Sequence, residues 1–170
     1  MKRSAIIYSF NTKNTGIVAE QIHKAFNDVE MEMEMVNAET LTEELFASFD
    51  QIIMGTATWF DGELPNHWDE FVPAMEELDM KGKKIALFGL GDQKGYPENF
   101  IDGVGLLAEI LEGQGAILTG FTSVEGYEFE SSRAQRGDQF AGLAIDYENQ
   151  GSMIKERING WVEQLKKEFS

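Results

Sequence analysis

Short apolar runs alternate with amphipathic segments along this chain. Four apolar runs have the length and composition of strands buried on both faces of a sheet: residues 5–8, 51–55, 84–88 and 116–118. Three segments between them repeat apolar residues at helical spacing: residues 15–26, 66–78 and 100–111. Pro73 lies inside the second segment and predicts a kink or two pieces, and a last helix follows Ser152, which we expect at its N-cap.

A strict alternation of apolar and acidic residues marks one more strand. It runs from Val29 to Val36, and most of its apolar positions are methionine. A period of two predicts an edge strand that turns methionine toward the core and glutamate toward solvent.

The order of strands and helices predicts an α/β fold, a doubly wound five-stranded parallel sheet with helices on both faces. Residues 120–140 break the alternation, because they are polar and aromatic and precede another apolar run at 142–145. We interpret them as an insertion that splits the fifth strand. Residues 1–170 are expected to form one domain, since no linker-like segment interrupts them.

Net charge and residue types exclude several classes of function. Thirty acidic and 14 basic side chains give a net charge of −16, which repels nucleic acids and anionic membranes. The absence of cysteine excludes disulfides, thiolate nucleophiles and iron–sulfur clusters, and two distant histidines, His23 and His67, do not predict a metal site. The sequence has no signal-peptide pattern and no apolar run of about 20 residues, so a cytoplasmic location is expected.

Ligands of doubly wound sheets bind beyond the carboxyl ends of the strands, so the segments that follow the strands are the candidate site. The first strand leads into Ser9-Phe10-Asn11-Thr12-Lys13-Asn14-Thr15-Gly16, where hydroxyl and amide side chains crowd the start of a helix. Backbone N–H groups at a helix N-terminus bind anions, so this segment predicts a phosphate site. A cluster that only caps the helix is the alternative.

Two further loops supply aromatic side chains at the same edge of the sheet. The third strand leads into Thr56-Ala57-Thr58-Trp59-Phe60-Asp61-Gly62-Glu63-Leu64, in which Trp59 is suited to stacking on a planar ligand unless it folds back onto the core. The fourth strand leads into residues 89–100, which contain three glycines and Tyr96. Together the three loops predict a phosphate site beside a sandwich for a flat ring.

These segments resemble the flavodoxin family, long-chain type. The resemblance rests on the phosphate loop, on the Thr58-Trp59 loop, and on Gly91-Asp92-Gln93-Lys94-Gly95-Tyr96-Pro97-Glu98-Asn99-Phe100. It extends to Glu125-Gly126-Tyr127 in the insertion and to Gly142-Leu143-Ala144-Ile145-Asp146, in the same order and spacing. The resemblance implies the strand order 2-1-3-4-5, for which flavodoxin itself is the standard example, and FMN as a non-covalently bound cofactor.

The resemblance also implies which residues contact FMN; none of them would be catalytic or bind a metal. They are Phe10, Asn11, Thr12, Lys13, Asn14, Thr15, Ala57, Thr58, Trp59, Phe60, Asp61, Gly62, Leu90, Gly91, Asp92, Tyr96, Asn99, Ile101 and Glu148. Phe10 and Lys13 depart from the family, which usually has Thr or Ser and often Gly there. Backbone donors survive both changes, so FMN binding should survive them. The Phe60–Asp61 peptide would lie beside the ring, where a positive φ would be strained because neither residue is glycine.

The implied function is low-potential, one-electron transfer between the semiquinone and hydroquinone of FMN, by a monomeric carrier and not by an enzyme. Residues 61–79 contain seven acidic side chains and no lysine or arginine. We predict that they dock redox proteins with basic surfaces, such as a flavodoxin/ferredoxin–NADP reductase, although a solvated helix face is the alternative. No nucleic-acid or membrane partner is expected.

Two other functions occur on related folds. A flavodoxin-like, FMN-dependent NAD(P)H:quinone reductase would need a nicotinamide or quinone pocket, and the sequence has no basic cluster for an adenosine phosphate. A phosphoacceptor receiver domain would need acidic residues after the first and third strands, where this chain has Ser9-Phe10 and Gly55-Thr56. The first of these remains the alternative to an electron carrier.

Overall fold

Five parallel strands form the central sheet of the structure, a computed structural model that describes residues 2–170. In chain order they are β1 (Ser4–Tyr8), β2 (Glu34–Asn37), β3 (Gln51–Thr56), β4 (Lys84–Leu90) and β5 (Ile117–Thr119). Their order in the sheet is β2-β1-β3-β4-β5, and each neighbouring pair is parallel. The fold class predicted from the sequence is confirmed.

The edge of β4 is shared by two short strands. β5 pairs with residues 84–86, and β9 (Leu143–Ile145) continues the same edge by pairing with residues 88–90. Between β5 and β9, the chain forms a small antiparallel sheet of β6 (Thr122–Ser123), β7 (Gln135–Arg136) and β8 (Gln139–Phe140), with β8 in the middle. An insertion does split the fifth strand, as predicted, and it has strands of its own.

Helices cover both faces of the sheet. On one face, α1 (Asn14–Asp28) and α6 (Ile154–Glu168) bury alternate residues of β1, β3 and β4. The other face packs against α5 (Asp102–Gly113) and against three short helices: α2 (Glu43–Ala47), α3 (Asn66–Asp69) and α4 (Val72–Glu77). None of the helices within residues 2–170 is both long enough and apolar enough to cross a bilayer.

The helix expected over residues 66–78 is two separate helices, α3 and α4. Pro73 lies in the first turn of α4, where its missing N–H breaks no hydrogen bond, so the chain starts a new helix there. Of the two outcomes predicted for Pro73, a kink or two pieces, the structure has two pieces.

The methionine-rich strand is shorter than predicted. β2 begins at Glu34 and not at residue 29, yet the expected alternation of burial extends beyond the strand. Met33 is buried, whereas Glu32 and Glu34 are exposed. The alternation of buried and exposed side chains therefore continues into residues 32–33, which precede β2 and pair with no other strand within residues 2–170.

The N-cap predicted for the last helix was wrong. α6 is preceded by a 3₁₀ turn, Gly151–Met153, so that Met153 and not Ser152 occupies the N-cap position. No side chain caps the helix there. The apolar stripe of α6 is buried as predicted, which indicates that packing against α1 and the sheet determines this helix more than its cap does.

The insertion packs directly on α5. Its aromatic side chains Tyr127, Phe129 and Phe140 cluster around Phe100, with ring centroids 5.2–5.8 Å apart. Burial raises the pKa of Tyr127 to about 12, and its hydroxyl donates to the Ala144 carbonyl at 2.6 Å. A side chain on Gly105 of α5 would overlap the backbone of the insertion.

Two helical glycines make a matched pair for testing this close packing. Gly160→Ala in α6 should stabilise the protein by roughly 0.5–1 kcal/mol, because the new methyl group meets no atom within 4 Å and alanine favours helix. Gly105→Ala should instead destabilise it by about 1–3 kcal/mol, because the backbone of Arg133 must move. Urea unfolding measures both changes, and equal stability of the two variants would contradict the packing.

Candidate functional site

The loops after β3 and β4 enclose a cavity at the carboxyl edge of the sheet. Its volume is about 580 Å³, within the usual range of small-molecule sites. Its lining consists of Thr58, Trp59, Phe60, Asp61, Gly91, Asp92, Tyr96 and Asn99. All eight were named from the sequence, and the parallel sheet brings them together because β3 and β4 are neighbours.

Both aromatic residues expected beside a flat ring lie in this lining. Trp59 is 39% exposed and Tyr96 is 64% exposed, so neither side chain is packed into the core. The Trp59 and Phe60 rings are nearly perpendicular, with centroids 6.4 Å apart. Trp59 is therefore not folded back onto the domain, and its face is available to a planar ligand.

A tight turn carries Trp59 and Phe60. The backbone N–H groups of Trp59 and Glu63 each donate to the other residue's carbonyl at 2.7 Å. Closing the turn places Phe60 at φ 50 and Gly62 at φ 89. A left-handed conformation costs a residue other than glycine about 1–2 kcal/mol, so Phe60 carries local strain at the rim of the cavity.

A buried carboxylate that the sequence analysis missed lies beneath this turn. Asp102 accepts hydrogen bonds from Asn99 Nδ2 at 3.0 Å and from the backbone N–H of Arg133 at 2.8 Å. A Cβ atom on Gly62 would be only 2.6 Å from its Oδ2. Asp102 thus joins both cavity loops to the insertion. The sequence places Asp102 in the first turn of α5, but an acidic residue there usually indicates only a favourable interaction with the helix dipole.

The wall of the cavity is negatively charged. Asp61 and Asp92 both line it. Hydrogen bonds from the Gly95 N–H and the Asn149 side chain lower the pKa of Asp92, so that its carboxylate stays ionised at neutral pH. Any negative charge added to a ligand in this cavity would therefore be disfavoured.

The segment after β1 leaves backbone donors free at the start of α1. Lys13 is the N-cap without a side-chain hydrogen bond, and Ile17 is the first residue to donate back, to the Lys13 carbonyl at 3.0 Å. Within residues 2–170, no hydrogen-bond acceptor meets the N–H groups of residues 13–16. The Thr12 hydroxyl donates to the Ser9 carbonyl at 2.6 Å and does not cap the helix. Free donors at a helix N-terminus suit an anionic group.

Other residues of this segment have different partners. The Phe10 N–H donates to Asn37 Oδ1 at 3.2 Å, and the Asn11 side chain donates to Glu39. Asn14 is the first residue of α1, and Thr15, which follows it, is buried. The Phe10 side chain is half exposed and lies beside Tyr8, with ring centroids 5.0 Å apart.

Besides the six named residues of the segment after β1, five residues named from the sequence do not line the cavity: Ala57, Gly62, Leu90, Ile101 and Glu148. Thr58 anchors the loop that contains Ala57 and Gly62, because its Oγ1 accepts the Gly103 N–H at 2.9 Å. Leu90 is half-buried, and Ile101 is fully buried at φ 46. Glu148 is exposed, whereas its neighbour Asn149 contacts Asp92.

The acidic segment that follows the cavity turn lies on the surface. Seven acidic side chains between residues 61 and 79 are all exposed: Asp61, Glu63, Asp69, Glu70, Glu76, Glu77 and Asp79. Asp61 also lines the cavity, so this surface begins at the rim. The site can thus hold a flat ring and an anion, with an acidic surface beside them.

Comparisons with known proteins agree with this geometry. The sequence profile of the Flavodoxin family matches residues 6–161. A flavodoxin from Klebsiella pneumoniae is 36% identical over 175 residues, which cover 98% of each chain. The crystal structure of Fusobacterium nucleatum flavodoxin bound to flavin mononucleotide has a TM-score of 0.93 at 32% identity and covers 100% of both chains.

A variant of the Fusobacterium nucleatum protein, K13G, was also crystallised bound to flavin mononucleotide, with the same TM-score of 0.93 and 98% of its chain covered. The profile match spans most of the chain, and the Klebsiella relative aligns with nearly all of it. The chain therefore belongs to the flavodoxin family.

Proposed function

We propose that the protein is an electron carrier that binds FMN non-covalently and passes single electrons between redox proteins. The observation that carries the proposal is the cavity lined by Trp59 and Tyr96, at the same sheet edge as the free N–H groups that begin α1. FMN joins a flat ring to a phosphate and so matches both features. When bound, FMN supplies the redox chemistry, and the protein binds, orients and tunes it.

The start of α1 would hold the phosphate. Its four free backbone N–H groups and the positive end of the helix dipole provide the attraction, so no basic side chain is required. Asn14 and Thr15 would add side-chain donors, and Thr12 would do so once its hydroxyl left the Ser9 carbonyl. The Fusobacterium nucleatum variant K13G is bound to flavin mononucleotide, so the lysine at position 13 of that protein is not required for binding there.

The cavity would hold the ring between Trp59 and Tyr96 and would also set its reduction potential. Asp61 and Asp92 contribute negative charge to the walls, and the whole chain carries −16. Adding an electron to the ring increases its negative charge, which these carboxylates disfavour. The protein would therefore make the bound cofactor a strong reductant.

Partner docking would use the acidic surface from Asp61 to Asp79. All seven of its carboxylates are exposed, and the surface begins at Asp61 on the cavity rim, so a basic partner attracted to its near end would approach the ring. The residues that line the cavity include no lysine or arginine for the adenosine phosphate of NADPH, which favours a carrier over the NAD(P)H:quinone reductase alternative. A single domain, a monomer and a cytoplasmic location remain predictions from the sequence.

Removing either aromatic wall should weaken FMN binding. Aromatic stacking contributes ~0.5–1.5 kcal/mol beyond buried area, so the Kd of Trp59→Ala or Tyr96→Ala should rise about three- to tenfold. Quenching of FMN fluorescence on titration measures this change. Ile117→Ala is the control, because Ile117 is exposed at the opposite end of the sheet and should not alter the Kd. Unchanged affinity in both aromatic variants would refute the sandwich.

The phosphate should account for a large part of the affinity. Because charge-assisted hydrogen bonds contribute about 1.5–3 kcal/mol each, riboflavin should bind at least roughly a hundredfold more weakly than FMN. Lys13→Ala should keep this difference, since the donors at the start of α1 belong to the backbone. Parallel titrations with the two flavins test both points, and equal Kd values for them would exclude a phosphate site.

Reduction of the FMN-loaded protein by a basic NADPH-dependent reductase should slow as salt increases, because screening acts beyond about 8 Å at physiological ionic strength. The triple replacement Glu63→Gln, Asp69→Asn and Glu70→Gln should flatten this salt dependence. Replacing Asp28, Glu30 and Glu32 by their amides changes the net charge equally. These residues are exposed before the start of β2, at the sheet edge opposite the cavity, so their replacement should not flatten the salt dependence. A salt-independent rate would refute acidic docking, and turnover of NADPH without a reductase would favour the enzyme alternative.

A further inference from the structure

The loop that carries Tyr96 depends on the carboxylate of Asp92. Asp92 Oδ1 accepts the N–H groups of Lys94 at 3.1 Å and Gly95 at 2.8 Å, and the Asp92 carbonyl accepts the Tyr96 N–H at 2.8 Å. These three hydrogen bonds fold residues 92–96 into a turn. The direction of the Tyr96 ring therefore depends on where the Asp92 side chain is held.

Asn149, in the loop after β9, donates a hydrogen bond to the Asp92 side chain and holds it in place. Its Nδ2 lies 2.8 Å from Asp92 Oδ1 and 3.0 and 2.9 Å from the two carboxylate oxygens of Asp146. An amide nitrogen carries two hydrogens, so one side chain can donate to both carboxylates at once. An aspartate at this position would add a third negative charge, and an apolar residue would leave both acceptors without this donor.

Asp146 is the fixed end of this bridge. It is 0% exposed, and neutral amides surround its carboxylate: the backbone N–H of Gln93 at 3.0 Å, the Gln93 side chain at 2.6 Å and the backbone N–H of Asn149 at 3.0 Å. A buried charge is costly unless it is fully hydrogen-bonded, so Asp146 and its donors constrain one another. Gln93 Oε1 also accepts the Glu128 N–H at 2.6 Å, which extends the network to the insertion.

We propose that Asn149 is a positioning residue for the flavin ring, because it bridges Asp92 to buried Asp146 and so fixes the turn that carries Tyr96. Asn149 does not line the cavity and therefore acts through Asp92. The identity of the ligand rests on the proposed function, whereas the effect of Asn149 on the turn does not.

Flavin titrations separate this role from general stabilisation. Asn149→Ala should raise the Kd of FMN about threefold, no more than the loss of Tyr96 itself, and that of riboflavin by the same factor, because the turn would contact the ring and not the phosphate. Asn159→Ala is the matched control: Asn159 is exposed in α6, and its loss should change neither Kd. In a Tyr96→Ala background, Asn149→Ala should cost less than about twofold, since residues that act through one another are not additive.

Amide hydrogen exchange of the apoprotein gives a readout that needs no flavin. Asn149→Ala should speed exchange at Gly95 and Tyr96, whereas Asn159→Ala should not. If Asn149→Ala does not fold, Asn149→Ser retains a single donor and should show a smaller change in the same direction. Unchanged exchange at Gly95 and Tyr96, or an equal loss of FMN affinity with and without Tyr96, would overturn the proposal. A parent protein that binds no FMN would refute the proposed function, and the exchange measurement would still decide the role of Asn149.

Discussion

The pairing of β4 with two strands in succession is the constraint on which the rest of the site depends. β5 covers only the first half of β4, so the chain leaves the sheet after Thr119 and returns as β9 beside the second half. The Gly91 N–H then donates to the Ile145 carbonyl at 3.0 Å, which extends this pairing into the loop after β4. The insertion on one side and the loop after β9 on the other are thereby brought against the two cavity loops. A fifth strand without this interruption would lack the support of the insertion.

In these loops, buried carboxylates accept the hydrogen bonds that order the backbone, as regular secondary structure does in the sheet. Asp102 gathers donors from Asn99 and Arg133, and Asp146 gathers them from Gln93 and Asn149. Each carboxylate provides several acceptor sites, so one side chain can order segments that are distant in sequence. Burying such a charge is unfavourable by itself, and the surrounding amides offset the cost only when every segment is in place. The charges that line the cavity belong to a different pair, Asp61 and Asp92, and Asp92 is connected to Asp146 through Asn149.

The sequence predicted the parts of the structure that depend on periodicity and on strand order. The sheet, the two long outer helices and α5 follow from apolar spacing, and the cavity loops follow because parallel strands end at one edge. Boundaries that depend on tertiary contacts were less predictable, as Glu34 and Met153 show. Asp102 and Asn149 were missed because each joins a nearby residue to a distant one: Arg133 lies 31 positions from Asp102, and Asp92 lies 57 positions from Asn149. No local pattern records such a contact, and Glu148, next to Asn149, was chosen from resemblance alone.

A carrier must cover the faces of its cofactor and yet leave an edge open to a partner, and the turn from Trp59 to Glu63 meets both requirements. Its two closing hydrogen bonds hold Trp59 at the cavity, and the left-handed Phe60 turns its ring outward to 76% exposure. A residue this apolar and this exposed is unfavourable on a protein that works alone, but it suits the centre of a transient interface. Asp61, the next residue, is exposed and lines the cavity beside it. Charge would bring a partner to this rim from a distance and orient it, and the apolar edge would provide the short contact across which an electron can pass.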